Sequence, residues 1–343
     1  MGRVVLVTGA ARASAGAFIR SLQDSEEVER VVAVDLRQPV HPLGAAEFVR
    51  LDIRQPAIAG VLAGHGVDTV VHLDLQGTPS PLGRSRTAVK ETNVIGTMQL
   101  LGACQKAPAL RRLVVKSTTG VYGSAPRDPA LFDETMRSRA LPRGGFARDA
   151  VEAEGYVRGF ARRRPDVAVS VLRFAHELGS AREAPLAGYF SLPVLPTVLG
   201  HDPRLQFVHE EDVLGALHRV LAPDGPAGTF NIAGDGVLLL SQCARRLGRP
   251  TLPLPLPALG WSGAALRAAG APDLPAELVD VLTHGGAVAT GHAREVLGFT
   301  ARRSTAEVLE AFLRRRGSGP VPPQRLAGAV DLFAGLLPGR KEG

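Results

Sequence analysis

The stretch VVLVTGAARASAG, residues 4–16, decides how the rest of the chain is read. Residues 4–7 form a short, wholly apolar run, the pattern of a strand buried on both faces. The run meets Thr8-Gly9 at once, and residues 15–22 then place apolar side chains at helical spacing. A glycine turn between a buried strand and a helix lets backbone N–H groups approach an anion at the helix N-terminus, as in sites that hold the pyrophosphate of a dinucleotide. Gly9 and Gly16 bracket this turn, with Arg12 between them.

Working outward, the same alternation recurs. Residues 31–35, 47–52, 67–73, 113–117 and 167–172 read as further strands. Helices are expected at 94–105 and 146–162. Short apolar strands separated by helices imply a doubly wound parallel sheet covered on both faces, the α/β Rossmann arrangement. Beyond residue 175 the pattern breaks. Pro and Gly punctuate 185–203 and 250–257, and short helices are expected at 211–221, 239–247, 275–283 and 305–315. The expected organisation is a dinucleotide-type domain over 1–175, a smaller C-terminal lobe of substrate type over 176–316 that interleaves with the first, and a linker and tail over 317–343. The tail carries an amphipathic piece at 326–337.

Composition excludes several classes. With 343 residues and 45% hydrophobic content, a sizeable core is available. The net charge is +7, carried almost wholly by Arg, and the runs 162–164 and 314–316 fall at expected helix ends, where cations favour the helix dipole. No recognition motif accompanies the charge, so nucleic acid is not an expected partner. No apolar run reaches membrane-spanning length, and the short N-terminal run reads as a strand rather than a signal peptide, so a cytoplasmic protein without a membrane partner is expected. Cys104 and Cys243 fall in different expected helices, which suggests neither a disulfide framework nor a metal site.

Two acids strengthen the dinucleotide reading. Asp35 ends the second strand, 26 residues after Gly9, where a carboxylate can bond both ribose hydroxyls of NAD and repel the 2′-phosphate of NADP. Arg37 blurs that preference, so NADP stays open. Asp52-Ile53 follows the third strand.

Several later segments resemble the NAD-dependent epimerase/dehydratase family, the extended short-chain dehydrogenases, in order and spacing. VVHLDLQG (70–77), ETNVIGT (91–97), VVKSTTGVYG (114–123), RLQFVHEEDV (204–213), GTFNIAGDG (228–236) and REVLGF (294–299) resemble its motifs, over roughly 1–316. The resemblance implies that Asp52 and Ile53 lie beside adenine and that Leu73 lines the nicotinamide side. It also implies that Asn93 bridges elements near the cofactor and that Thr118 occupies the catalytic Ser/Thr position. Against the family's TGxxGxxG turn, Arg12 and Ala15 stand at the second and third glycines, and Gly16 is one place late. Arg12 either swings out or caps a phosphate with its own charge.

The family's catalytic Tyr and Lys lie four residues apart on one helix face. The matching segment here is FARDAVEAE (146–154), with Phe146 for Tyr and Ala150 for Lys. Phe146, Ala150, Ala153, Val157 and Phe160 form one apolar stripe. Phe cannot exchange a proton and Ala cannot hold a ribose hydroxyl. Lys116, Asp74 and His176 are candidate substitutes at the C-terminal edge of the sheet. Each also has a plain structural reading: ion pairing, a strand-end turn and a hydrogen-bonded loop. Leu205 replaces an Arg that grips nucleotide-sugar phosphate in the family. The leading expectation is a dinucleotide-binding protein without Tyr/Lys chemistry, acting as sensor, regulator or structural partner. An active oxidoreductase, epimerase or dehydratase using Thr118, or a nucleotide-free scaffold, are the rivals. The resemblance implies a homodimer through helices 94–105 and 146–162.

Overall fold

A computed structural model describes residues 2–75, 85–138, 141–142, 145–179, 185–256 and 276–316. The linker and tail expected over 317–343 lie outside the described residues. The first half runs β1 (Arg3–Thr8), α1 (Ala13–Leu22), β2 (Val28–Asp35), β3 (Glu47–Arg50), α2 (Ile58–Gly64), β4 (Thr69–His72), α3 (Arg86–Glu91), a π-type turn (Thr92–Gly96), α4 (Thr97–Gln105), β5 (Arg112–Thr118), α5 (Gly145–Arg163) and β6 (Ala168–Phe174). All six expected strands are present. Helix α2 was not expected, because its sequence IAGVLAG is too short and Gly-rich to show helical periodicity.

The second half contributes β7 (His176–Glu177), α6 (Pro185–Phe190), β8 (Leu195–Val198), β9 (Arg204–Leu205), β10 (Phe207–Val208), α7 (Glu210–Leu221), β11 (Gly228–Ile232), β12 (Leu238–Leu239), α8 (Leu240–Leu247), β13 (Thr251–Leu254), α9 (Ala276–His284) and α10 (Thr305–Arg316). The short strands form three two-stranded pairs, β7 with β10, β8 with β13 and β9 with β12.

The main sheet has seven parallel strands in the order β11-β6-β5-β4-β1-β2-β3. One face is covered by α1 and α7, with Phe18, Ile19 and Leu22 packed with Leu217 and Val220. The other is covered by α2, α4 and α5 through Ile58, Leu62, Leu100, Val157 and Phe160. A separate core of Leu186, Tyr189, Phe190, Phe207, Leu282 and Phe312 consolidates the C-terminal lobe. The two halves interleave deeply. β11 joins the sheet beside β6, and α7 reaches α1, where His218 Nε2 lies 2.7 Å from Ser21 Oγ.

Strand order reverses direction between β1 and β4. In open α/β sheets the crevice outside the C-terminal ends of the strands at such a reversal is the ligand site.

Candidate functional site

The ends of β1 and β4 converge closely. Gly9 has φ +78°, and a Cβ there would sit 3.0 Å from Asp74 Cα. Glycine is thus required for both conformation and space. Just before it, Thr8 is locked by a buried network. Thr97 Oγ1 donates to the Asn93 carbonyl (2.5 Å), so it accepts from His72 Nε2 (2.9 Å). Thr8 Oγ1 accepts from the Leu73 amide (3.2 Å) and donates to His72 Nδ1 (2.7 Å). Burial pushes the His72 imidazole down to about 4, which leaves it neutral with one ring proton, the state this network needs. The glycine turn is therefore anchored to α4 through a histidine.

Asp35 ends β2 beside this turn and is buried. Its Oδ2 accepts from the Ala11 amide (3.0 Å) and Oδ1 from the Arg37 amide (2.9 Å). Each carboxylate oxygen has a second lone pair to offer. Asp35, Leu51, Asp52, Ile53, Asp74 and Thr92 line a small cleft at this edge. Arg54 clamps Asp52 at 2.6 Å and reaches Glu91 at 3.0 Å. Ile53 is seated by Gly96, where a Cβ would come within 2.7 Å of its Cδ1. Buried Asn93 donates to Asp149 Oδ2 (2.9 Å), so it ties the π-type turn to α5. Asp149 in turn holds Arg86 at 2.6 Å.

Gly16 lies in the first turn of α1, its amide bonded to the Arg12 carbonyl (2.9 Å). A Cβ there would fall 1.9 Å from His41 Nε2, and that ring also contacts the Ala10 carbonyl at 3.0 Å. The glycine makes room for a histidine from the β2–β3 connection. Arg12 is the N-cap residue of α1 but makes no side-chain cap, and its Nε is buried without a hydrogen-bond partner. Arg12 follows Ala11, whose amide bonds the cleft-lining Asp35, so an orphaned cationic donor and a carboxylate acceptor meet at the same turn, a combination that fits the diphosphate and adenosine ribose of a dinucleotide.

At the other end of the crevice, Thr118 accepts from the Gly120 amide (3.1 Å), where it caps the short turn Thr119–Tyr122. Lys116 pairs with Glu177 at 2.7 Å and lies over the Phe174 ring. It is engaged by that carboxylate rather than by Asp74 or His176. Burial pushes His176 down to about 4. Phe146 packs on the α2–α4–α5 core, and Ala150 is fully buried among Val121, Tyr122, Phe132, Ala175, Ala233 and Val288.

Two features were missed in the sequence. Behind Thr118 runs a buried network. Glu154 accepts from Ser117 Oγ (2.7 Å) and from Arg173 Nε and Nη2 (3.0 and 2.6 Å). Arg173 Nη1 reaches the Tyr122 hydroxyl (2.8 Å), which donates to Asn231 (2.9 Å). Burial opposes the Arg173 charge, but the Glu154 carboxylate outweighs it and raises the pKa. An Arg inside an otherwise apolar strand and a Glu within the apolar stripe of α5 were the available signals. The second is Glu277 of α9. It accepts from the Phe146 and Ala147 amides (2.8 and 3.1 Å) and caps α5 from a distant part of the chain. Burial raises its carboxyl to about 7 against the pull of those two amides. No sequence signal links the two.

Among the described residues, no group of His, Cys, Asp and Glu is placed to hold a metal ion, and no helix is long and apolar enough to cross a membrane.

The fold and crevice thus define a Rossmann protein of the dinucleotide-binding class. Residues 5–233 match the NAD dependent epimerase/dehydratase family, and the chain belongs to that family. An uncharacterized protein of Mycobacterium tuberculosis is 45% identical over 341 residues, covering 97% of this chain and 90% of that protein. Among solved structures, MoeE5 in complex with UDP-glucuronic acid and NAD superposes with a TM-score of 0.69 at 25% identity, over 91% of this chain and 99% of the other. The UDP-glucose 4-epimerase of Thermotoga maritima, with UDP-glucose, gives a TM-score of 0.69 at 20% identity over 91% and 97% of the two chains.

Proposed function

We propose that this chain binds NAD along the C-terminal edge of its sheet and does not run the family's tyrosine–lysine chemistry, acting instead as a sensor, regulatory or structural partner. The observation that carries this reading is the pair Phe146 and Ala150 on α5. Ala150 is sealed in an apolar cluster, and the amides at the start of α5 are taken by Glu277. General acid–base assistance is typically worth roughly 10²–10⁴ in rate. Neither side chain can supply it.

In this reading Gly9 admits the diphosphate, Asp35 accepts from the adenosine ribose, and Asp52 and Ile53 flank adenine. Leu73 closes the nicotinamide side, and Asn93 positions α5. Asp35 favours NAD over NADP. Bound NAD supplies a hydride acceptor, but two of the three candidate replacements for the lost base are poorly placed to serve. Lys116 is ion-paired with Glu177, and burial pushes the His176 imidazole down to about 4, which makes it a weak base. Leu205 is buried and apolar where the family has its phosphate-gripping Arg, which argues against a nucleotide-sugar substrate.

The homodimer belongs to the same proposal. Ile95 and Met98 are 41% and 43% exposed beside the open Gly102, and Tyr156 is 41% exposed on the neighbouring α5. Two adjacent helices with apolar outer faces suit a four-helix contact with a second copy.

The test combines calorimetric titration with NAD and NMR analysis of the sugar nucleotide recovered after incubation with UDP-glucose or UDP-glucuronic acid, because an epimerase or dehydratase returns its hydride and leaves no net NADH. The expected result is binding without turnover. Robust turnover abolished by Thr118→Ala would replace this reading with an active enzyme.

A further inference from the structure

Arg12 is an odd residue for its place. N-cap positions favour side chains that accept a hydrogen bond from the first-turn amides, and a guanidinium has only donors. A cation at the positive end of a helix dipole is also unfavourable. Accordingly no side chain caps α1 from Arg12, and the Arg12 Nε is buried with no partner among the described residues. A buried donor left unmade is a cost that native structures rarely carry without a reason. A single anion at this end of α1 removes both liabilities.

The chemistry of that anion follows from its neighbours. Ala11, adjacent to Arg12, donates its amide to Asp35, and Asp35 lines the cleft at the strand ends with Asp52, Ile53 and Asp74. An anion at Arg12 joined to a group in that cleft is the diphosphate of an adenine dinucleotide. The far end of the crevice has the opposite character. Ala150 offers nothing to a ribose hydroxyl, and Lys116 is paired with Glu177.

We infer that Arg12 binds the cofactor diphosphate through its side chain, in a place where a glycine would offer only backbone, and that the ADP-ribose half therefore anchors the nucleotide. This rests on the NAD-binding reading above. Binding depends on one extra cationic contact, so affinity falls more steeply with salt than it does without Arg12.

Calorimetric titration of the full chain with NAD, ADP-ribose and nicotinamide mononucleotide, on wild type, R12A and R12K, tests it, with circular dichroism confirming the fold of each variant. The expected result is ADP-ribose binding within about threefold of NAD, with no detectable mononucleotide binding. R12A should lose about tenfold or more for both adenine ligands, in line with a charge-assisted hydrogen bond. R12K should lie between, and the salt dependence of R12A should be shallower. R12A binding NAD as tightly as wild type, or more tightly, overturns the inference and marks Arg12 as a bystander or an obstruction. NAD binding more than tenfold tighter than ADP-ribose overturns the anchoring by the adenine half. Failure of wild type to bind any of these ligands overturns both this inference and the NAD-binding reading.

Discussion

Replacing Ala150 by Lys asks whether the family's lysine position is still a site or has become core. Ala150 has no exposed surface and belongs to the buried cluster of Val121, Tyr122, Phe132, Ala175, Ala233 and Val288. Adding a long side chain to a filled cluster costs about 1–3 kcal/mol through overpacking. Burying its ammonium adds to this. A lysine pKa lowered by about two units corresponds to about 3 kcal/mol. The expected loss for A150K at pH 7 is about 4–6 kcal/mol, against about 1–3 kcal/mol for the uncharged A150M. The charge component carries its own signature. The folded-state pKa lies below the unfolded one, so the penalty is full below the folded pKa and fades as pH rises towards the unfolded value near 10.4. Urea denaturation of wild type, A150K and A150M from pH 7 to 10 reads both components. A150K within about 1 kcal/mol of wild type, with no recovery at high pH, would show that the polar lysine site is intact and refute the repacking argument.

Other outcomes follow from the same geometry. Glu154→Ala leaves Arg173, only 10% exposed, without its carboxylate, and should cost about 3–5 kcal/mol in denaturant unfolding; a double E154L/R173M variant should recover much of that loss. Glu277 has a folded pKa of about 7, above its ordinary 4.5, so the stability it contributes is full below about 4.5 and lost as pH rises to about 7. Wild-type stability relative to E277Q should therefore fall by up to about 3 kcal/mol across that window, and parallel pH profiles would contradict it. M98E combined with Tyr156→Glu should convert the expected dimer into a monomer in light scattering, with wild type already monomeric being the contrary result.

The glycine turn and the strands were legible because each strand is a short apolar run between turn residues, and that pattern survives without knowledge of tertiary contacts. Asp35 and Asp52 were legible for a related reason, since a strand end fixes their position along the crevice. What escaped depended on distance in the chain. Gly16 resembles a displaced phosphate glycine in the sequence, yet His41, 25 residues later, occupies the space of its absent Cβ. The cap on α5 comes from Glu277, 131 residues beyond Phe146. β11 joins the main sheet from within the segment assigned to the C-terminal lobe, because GTFNI carries no mark of which sheet will accept it. Lys116 stands two residues before Thr118 on β5, but its partner Glu177 sits on a two-residue strand too short for any periodicity.

The central claim is that the chain holds NAD and leaves it unreduced. Mass spectrometry of the nucleotide released from the purified protein, together with NMR of the sugar nucleotide recovered after incubation with NAD and UDP-glucose or UDP-glucuronic acid, tests it most directly. The account predicts NAD retained on the protein and the sugar nucleotide unchanged, with no NADH formed. An epimerised, dehydrated or oxidised sugar, whether or not NADH accumulates, would contradict it and require a working acid–base set at the crevice.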